Sequence, residues 1–199
     1  MGRNYSGDVT PPWGQPLRGN DPTRLSPSEH LALQRAPRLK PRGADLPDVL
    51  GKAWNFPNTA LGLATGAAGY VAGQVNRLRP GNQRDPRVRL GHNAVEFINN
   101  PASPLGGLTL GNVTIYGDDP YDRADKGWSY YHQTHGHPVQ HHEEQHTYQG
   151  QQLGPFYLPS NLGGGALGLF RDGVWGGASN WNERGPSMNP PRPWSRKRR

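Results

Sequence analysis

The strongest constraint on the fold comes from the five residues His142-Glu143-Glu144-Gln145-His146. Residues four apart lie on one face of an α-helix, so both histidines of this HExxH pattern can face one metal ion if the segment is helical. Glu143 is turned about 100° from His142 around such a helix, where it can reach a water on the ion rather than the ion itself. The pattern therefore predicts a helix that carries a metal centre.

The surrounding residues supply the boundaries of this helix. Six of the eight histidines lie between residues 132 and 146, so an HExxH match by chance has a probability of about 0.2 in this window, against about 0.008 for the whole chain. The five residues alone are therefore weak evidence for a metal centre, and the flanking residues must support the predicted helix. Pro138 suits a first helical turn and Gly154-Pro155 suits a stop, which predicts a helix over about 138–153. Because this helix has few apolar side chains, we expect it to line an open cleft.

Composition limits the rest of the fold. The 199 residues include 28 glycines and 21 prolines, and only 32% are hydrophobic. This excludes a long helical bundle or coiled coil and predicts one α+β domain with irregular tails. The chain has no cysteine, which excludes a disulfide scaffold, cysteine-ligated zinc and thiol catalysis.

The chain divides into three segments. Residues 1–52 are rich in proline and predict a disordered leader, with one short helix at Ser26–Gln34. Residues 53–194 form the predicted folded domain, and residues 195–199 form a basic tail. The net charge of +7 is +3 in the leader, −1 over 53–185 and +5 in the residues that follow. Because the basic charge lies in the tails, we expect no nucleic-acid partner.

A run of small residues after Trp54 predicts a second helix. Gly62, Gly66, Gly69 and Gly73 recur at spacings of three and four, which suits a helix that packs closely on a neighbour through its glycines. Glycine lowers helix propensity by about 1 kcal/mol relative to alanine, so tertiary packing must compensate. The apolar stretch is shorter than the roughly 20 residues that a membrane span needs, and we therefore expect no membrane span.

Three stretches predict a small antiparallel sheet. RVRLG at 87–91 and NAVEFI at 93–98 alternate apolar and polar residues, and LTLGNVTIYG at 108–117 is a third strand pattern with a bulge or tight turn at Gly111-Asn112. The segment SNLGGGALGLF at 160–170 predicts a further helix against the metal centre.

The HExxH pattern supplies only two ligands, whereas a catalytic zinc site has three protein ligands and a water. Glu183, in the segment SNWNERGP, is the favoured third ligand, and Asp172 is the alternative downstream carboxylate. The remaining alternatives are the upstream histidines His132, His135 and His137.

Several segments together resemble a known family. HEEQHTYQGQQLGPFYLPSNLGG at 142–164, with LGNVTIYGDDP before it and SNWNERGPSMNPPRPW after it, resembles the zinc metallopeptidase effector domain of certain type VI secretion spike proteins and related bacterial polymorphic toxins. The resemblance covers about 56–194. It implies a zincin-like fold with one catalytic Zn²⁺, and it places a glutamate ligand of the NxxE segment at Glu183.

The resemblance also implies a biological setting. The first residues contain no apolar signal-peptide stretch, so we expect synthesis in the bacterial cytoplasm and secretion by a specialised system into a target cell. The expected partners are a secretion-spike carrier, a cognate immunity protein and a protein or peptide substrate such as an envelope protein of the periplasm.

The residues and the resemblance predict the same reaction. His142, His146 and Glu183 would hold Zn²⁺, and Glu143 would act as general base on its water during peptide-bond hydrolysis. The oxyanion needs a second donor, for which the candidates are His135, His137, Tyr148, Tyr157 and Arg184. The alternative is a non-catalytic protein that binds metal through its histidine-rich tract.

Overall fold

The fold consists of helices packed around one four-stranded sheet. A computed structural model describes residues 45–81, 84–103, 106–122 and 136–195. The predicted helix at Ser26–Gln34 lies outside these ranges, as does most of the basic tail. The predicted α+β class is confirmed by the described residues.

Helix α1 spans Leu46–Trp54, most of which lies in the segment predicted to be a disordered leader. The side chain of Asp45 accepts a hydrogen bond from the Asp48 backbone N–H at 3.0 Å, which caps the helix, and Pro47 occupies its first turn. Residues 46–52 of the segment assigned to the disordered leader are therefore helical. The proline content suggested disorder up to residue 52, but a proline in the first turn is compatible with a helix.

Helix α2 spans Phe56–Arg77 and uses its glycines for close packing. Gly62 lies on β-strand residues, where a methyl group would come within 2.5 Å of the Leu110 carbonyl oxygen, and Gly66 lies against the ring of Phe97. The predicted packing through small residues is confirmed. The core beneath this helix is formed by Phe97, Val113 and Ile115.

The sheet consists of two hairpins placed side by side. Its strands are β1 (Arg87–Gly91), β2 (Ala94–Ile98), β3 (Gly107–Leu110) and β4 (Val113–Tyr116), in the spatial order β1-β2-β4-β3. The pairs β1–β2 and β3–β4 are antiparallel, with the second turn at Gly111-Asn112. The stretch at 108–117 is therefore a hairpin with a tight turn rather than one bulged strand.

The prediction of a purely antiparallel sheet is wrong at its centre, where β2 and β4 run parallel. Short turns impose antiparallel pairing within each hairpin, but no local signal specifies how two hairpins meet. Asn112 joins them: its carbonyl accepts from the Val95 N–H at 2.9 Å, and its side chain donates to the Asn93 carbonyl at 2.9 Å.

Helix α3 spans Val139–Leu153 and carries the HExxH pattern, as predicted. Pro138 is its N-cap, and the chain leaves it through Gly154, whose φ of 55° favours glycine. A 3₁₀ turn at Gly154–Phe156 leads into α4 (Tyr157–Asp172), which confirms the helix predicted at 160–170. None of the helices in the described ranges is long and apolar enough to cross a membrane.

Candidate metal centre

Helix α3 brings two imidazole rings together inside the protein. His142 and His146 are both buried, and their Nε2 atoms lie 3.1 Å apart. Their spacing of four residues puts them on one face of the helix. Two nitrogen atoms at this separation are arranged to share one small cation or proton.

Glu183 closes the group from the C-terminal segment. Its Oε2 lies 3.1 Å from Nε2 of His142, and its Oε1 lies 3.5 Å from Nε2 of His146. One ligand atom from each of the three residues falls within 4.8 Å of the others. The structure thus brings together the three residues that the sequence favoured as ligands.

Buried asparagines hold the segment that carries Glu183. Asn182 donates from its side chain to the Ser160 carbonyl on α4 at 2.8 Å, and its N–H bonds the Asn180 side chain at 3.0 Å. Both asparagines are fully buried. Because these bonds leave the backbone little freedom, the carboxylate of Glu183 is held in place toward α3.

The charges of these groups strongly shift the pKa values of His146 and Glu183. Burial alone would lower the pKa of His146, but the charge of Glu183 and its hydrogen bond outweigh burial and raise this pKa to about 9. Burial likewise opposes ionisation of Glu183, yet the two histidines hold its pKa well below the usual range. A divalent ion at this position would displace the proton from His146, as metal binding to histidine requires.

Gln149 fixes the orientation of His146, and the sequence reasoning missed it. Its amide nitrogen donates to the carbonyls of Asn182 at 2.7 Å and Pro193 at 2.5 Å. The amide oxygen therefore faces Nδ1 of His146, at 2.8 Å, and Nδ1 must carry the proton. This tautomer leaves Nε2 of His146 free to bind a metal ion. The position of Gln149, three residues after His146, is the only signal for this role in the sequence.

Glu143 lies outside the ligand group, against strand β3. Its Oε2 accepts a hydrogen bond from Oγ1 of Thr109 at 2.7 Å. Gly107 leaves room for it, because a methyl group there would come 2.5 Å from Oε1 of Glu143. The helix geometry that separates Glu143 from the ligands is therefore supported by two contacts from the sheet.

The centre opens into a cavity of about 790 Å³. Helix α3 lines this cavity, as predicted. Strand β3 forms one of the other walls and helix α4 another. Of the predicted oxyanion donors, Tyr157 lies on this cavity, with its ring centred 6.5 Å from that of His146. Its apolar wall includes Leu110, Val139, Leu158, Leu162 and Trp175.

The other candidate ligands and donors that lie in the described residues do not join the group. Asp172 accepts hydrogen bonds from the backbone and side chain of Ser179 instead. Tyr148 donates to Glu144 at 3.0 Å, Arg184 is exposed, and neither residue lines the cavity. Nδ1 of His137 lies 3.2 Å from the Pro138 carbonyl. His132 and His135 lie outside the described residues.

Two neutral imidazole nitrogens and one carboxylate form a donor set that suits Zn²⁺ and leaves a position open for water. The group therefore fits the predicted ion by its chemistry. Comparison of the chain with protein-family models, curated proteins and solved structures finds no match. The function is therefore inferred from the site itself.

Proposed function

We propose that the protein is a zinc-dependent metallopeptidase. The observation that carries this proposal is the convergence of His142, His146 and Glu183 from two distant segments, with Glu143 held beside them but outside the group. A structural zinc site is closed by four protein ligands, whereas three ligands beside a cavity leave one position for water or substrate. The arrangement supports catalysis rather than stabilisation of the fold.

The chemistry divides between the ion and the protein. A Zn²⁺ ion held by His142, His146 and Glu183 would supply two effects, a lowering of the pKa of a water to about 7 and polarisation of a carbonyl oxygen. Glu143 accepts the proton of the attacking water and delivers it to the leaving amine. The Thr109 hydroxyl donates a hydrogen bond to Oε2 of Glu143, which orients the carboxylate for this transfer.

A second donor for the developing oxyanion is available at Tyr157. Among the described residues, this hydroxyl has only weak contacts, to the Thr109 carbonyl at 3.4 Å and from Asn161 at 3.4 Å. Burial, followed by the charges of Glu143 and Glu183, raises the pKa of Tyr157 well above its usual value, so the hydroxyl stays protonated and can donate.

The cavity favours an extended peptide with an apolar side chain. Strand β3 ends the sheet on this side, and an edge strand offers backbone groups to which a peptide can add as a further strand. Apolar side chains form much of the cavity wall, and its lining among the described residues contains no lysine or arginine. We therefore propose substrates with a large apolar residue next to the scissile bond.

The alternative of a metal buffer predicts several weak sites spread over the histidine-rich tract. In the described part of the chain, His141 packs toward His92, with ring centroids 5.8 Å apart, and it does not contribute to the metal group. The described residues contain one group of mixed ligands, which favours one tightly held ion. The role of an antibacterial effector rests on the sequence resemblance and is proposed on that basis alone.

Metal analysis together with proteolysis tests the proposal. Wild-type protein should bind one equivalent of zinc tightly and cleave fluorescein-labelled casein. Glu183→Ala should lose the tight zinc and the activity together, whereas Glu143→Gln should keep the zinc and lose about 10²–10⁴-fold in rate. Several loosely held ions that are unaffected by Glu183→Ala would instead establish the buffer.

A further inference from the structure

We propose that the hydroxyl of Tyr116 donates a hydrogen bond to an oxygen of the bound peptide, which makes Tyr116 a substrate-contacting residue of this site. The inference rests on the proposed peptidase function and adds a group that neither the HExxH pattern nor the ligand set indicates. It is argued from the position of Tyr116 in the sheet, from the surroundings of its hydroxyl and from the contrast with Tyr121.

Sheet register places Tyr116 beside the proposed base. Tyr116 is the last residue of β4 and pairs with Gly107 of β3. Directly paired residues project from the same face of a sheet, and on that face Gly107 leaves the space that Glu143 fills. Tyr116 therefore projects from the sheet next to Glu143, and it lines the same cavity as Glu143 and the ligand histidines.

The hydroxyl of Tyr116 is buried without a hydrogen-bond partner among the described residues. The side chain is only 1% exposed, and an unsatisfied buried donor costs about 1–3 kcal/mol. Apolar neighbours surround the ring, namely Ile98 and Val139. Because Tyr116 lines the cavity, a hydroxyl that the fold leaves unsatisfied suits a partner that arrives with the ligand.

The protonation state of Tyr116 identifies the kind of partner. Burial, followed by the charge of Glu143, raises the pKa of Tyr116 well above its usual value. The hydroxyl therefore keeps its proton at any physiological pH and can donate. Carbonyl oxygens are the acceptors that a peptide substrate offers along its backbone, which identifies a peptide carbonyl as the matching group.

Tyr121 provides the matched control because it packs in the same cluster but has a structural hydroxyl. That hydroxyl donates to the two carboxylate oxygens of Glu96 at 2.7 and 2.9 Å. Glu96 is fully buried, so its carboxylate depends on such donors. Tyr121 is not among the residues that line the cavity.

The experiment compares Tyr116→Phe with Tyr121→Phe in the zinc-loaded protein. Three quantities are measured: kcat/KM for fluorescein-labelled casein, the affinity for a Phe-Leu hydroxamate, and the midpoint of thermal unfolding. Tyr116→Phe should lower kcat/KM and hydroxamate affinity by about tenfold or more and leave the unfolding midpoint unchanged or raised. Tyr121→Phe should lower the midpoint and leave kcat/KM within about twofold of wild type.

Each other outcome is informative. A lower unfolding midpoint in Tyr116→Phe would show that its hydroxyl has a structural partner and would overturn the inference. Unchanged kcat/KM and hydroxamate affinity would overturn it as well, while leaving the peptidase function intact. Wild-type protein that binds zinc but neither cleaves casein nor binds the hydroxamate would refute the proposed function itself, and the inference with it.

Discussion

Gln149→Leu should weaken both the metal centre and the fold, because one buried side chain serves both. Leucine matches glutamine in size but can neither accept from Nδ1 of His146 nor donate to the carbonyls of Asn182 and Pro193. Three polar groups therefore lose their partner. Gln149 is fully buried, so solvent cannot readily replace it.

The magnitude follows from these three bonds. A buried group left without its partner costs about 1–3 kcal/mol. The contact with the Pro193 carbonyl is less buried than the contact with the Asn182 carbonyl, so its loss should cost less. We expect a loss of about 3 kcal/mol in the free energy of unfolding, or about 10 °C in the unfolding midpoint. Groups that orient a metal-bound histidine contribute about 10–100-fold to metal affinity, so zinc should bind more weakly by that factor.

Gln149→Glu separates the two roles. A carboxylate still accepts from His146 but cannot donate to the two carbonyls, so this variant should keep zinc affinity within a fewfold of wild type and still lose stability. Gln152→Leu is the matched control, since Gln152 is exposed on the same helix and accepts one hydrogen bond, from Trp194 at 2.6 Å. It should change the free energy of unfolding by less than about 1 kcal/mol.

Zinc affinity is measured by competition with a chromophoric chelator, and stability by urea unfolding of the zinc-free protein. The zinc-free measurement isolates the hydrogen bonds from stabilisation by the bound ion. If Gln149→Leu matches Gln152→Leu in both assays, Gln149 does not orient His146 and the proposed tautomer is refuted.

Two further predictions concern the substrate and the site of action. Leu162→Asp should lower cleavage of peptides with a large apolar residue by about tenfold or more, because Leu162 lines the cavity, whereas Leu169→Asp on the same helix should not, because Leu169 does not line it. Equal losses in both variants would place the peptide elsewhere. Expression with an artificial export signal should be more toxic to bacteria than cytosolic expression if the target is an envelope protein, and equal toxicity would contradict that target.

Much of the ligand group could be predicted because its signals are local. His142 and His146 are one helical turn apart, so the helix alone sets their common face, and Pro138 and Gly154 mark its ends. Glu183 could be favoured but not selected, since Asp172 offered the same chemistry. The choice between them depends on where the chain after α4 returns to α3, which no local pattern encodes.

The same contrast between local signals and contacts of distant segments applies to the rest of the molecule. Helices α2, α3 and α4, the β1–β2 hairpin and the glycine packing face could be predicted from the sequence, because turns, caps and periodicity act over a few residues. The tertiary fold was needed to show that β2 and β4 run parallel, that Thr109 contacts Glu143, that Tyr116 lines the cavity and that Gln149 contacts His146. Most of these contacts join residues that are far apart in the chain, where each side chain taken alone is an ordinary threonine, tyrosine or glutamine. Their roles arise from the burial and the partners that the assembled fold gives them.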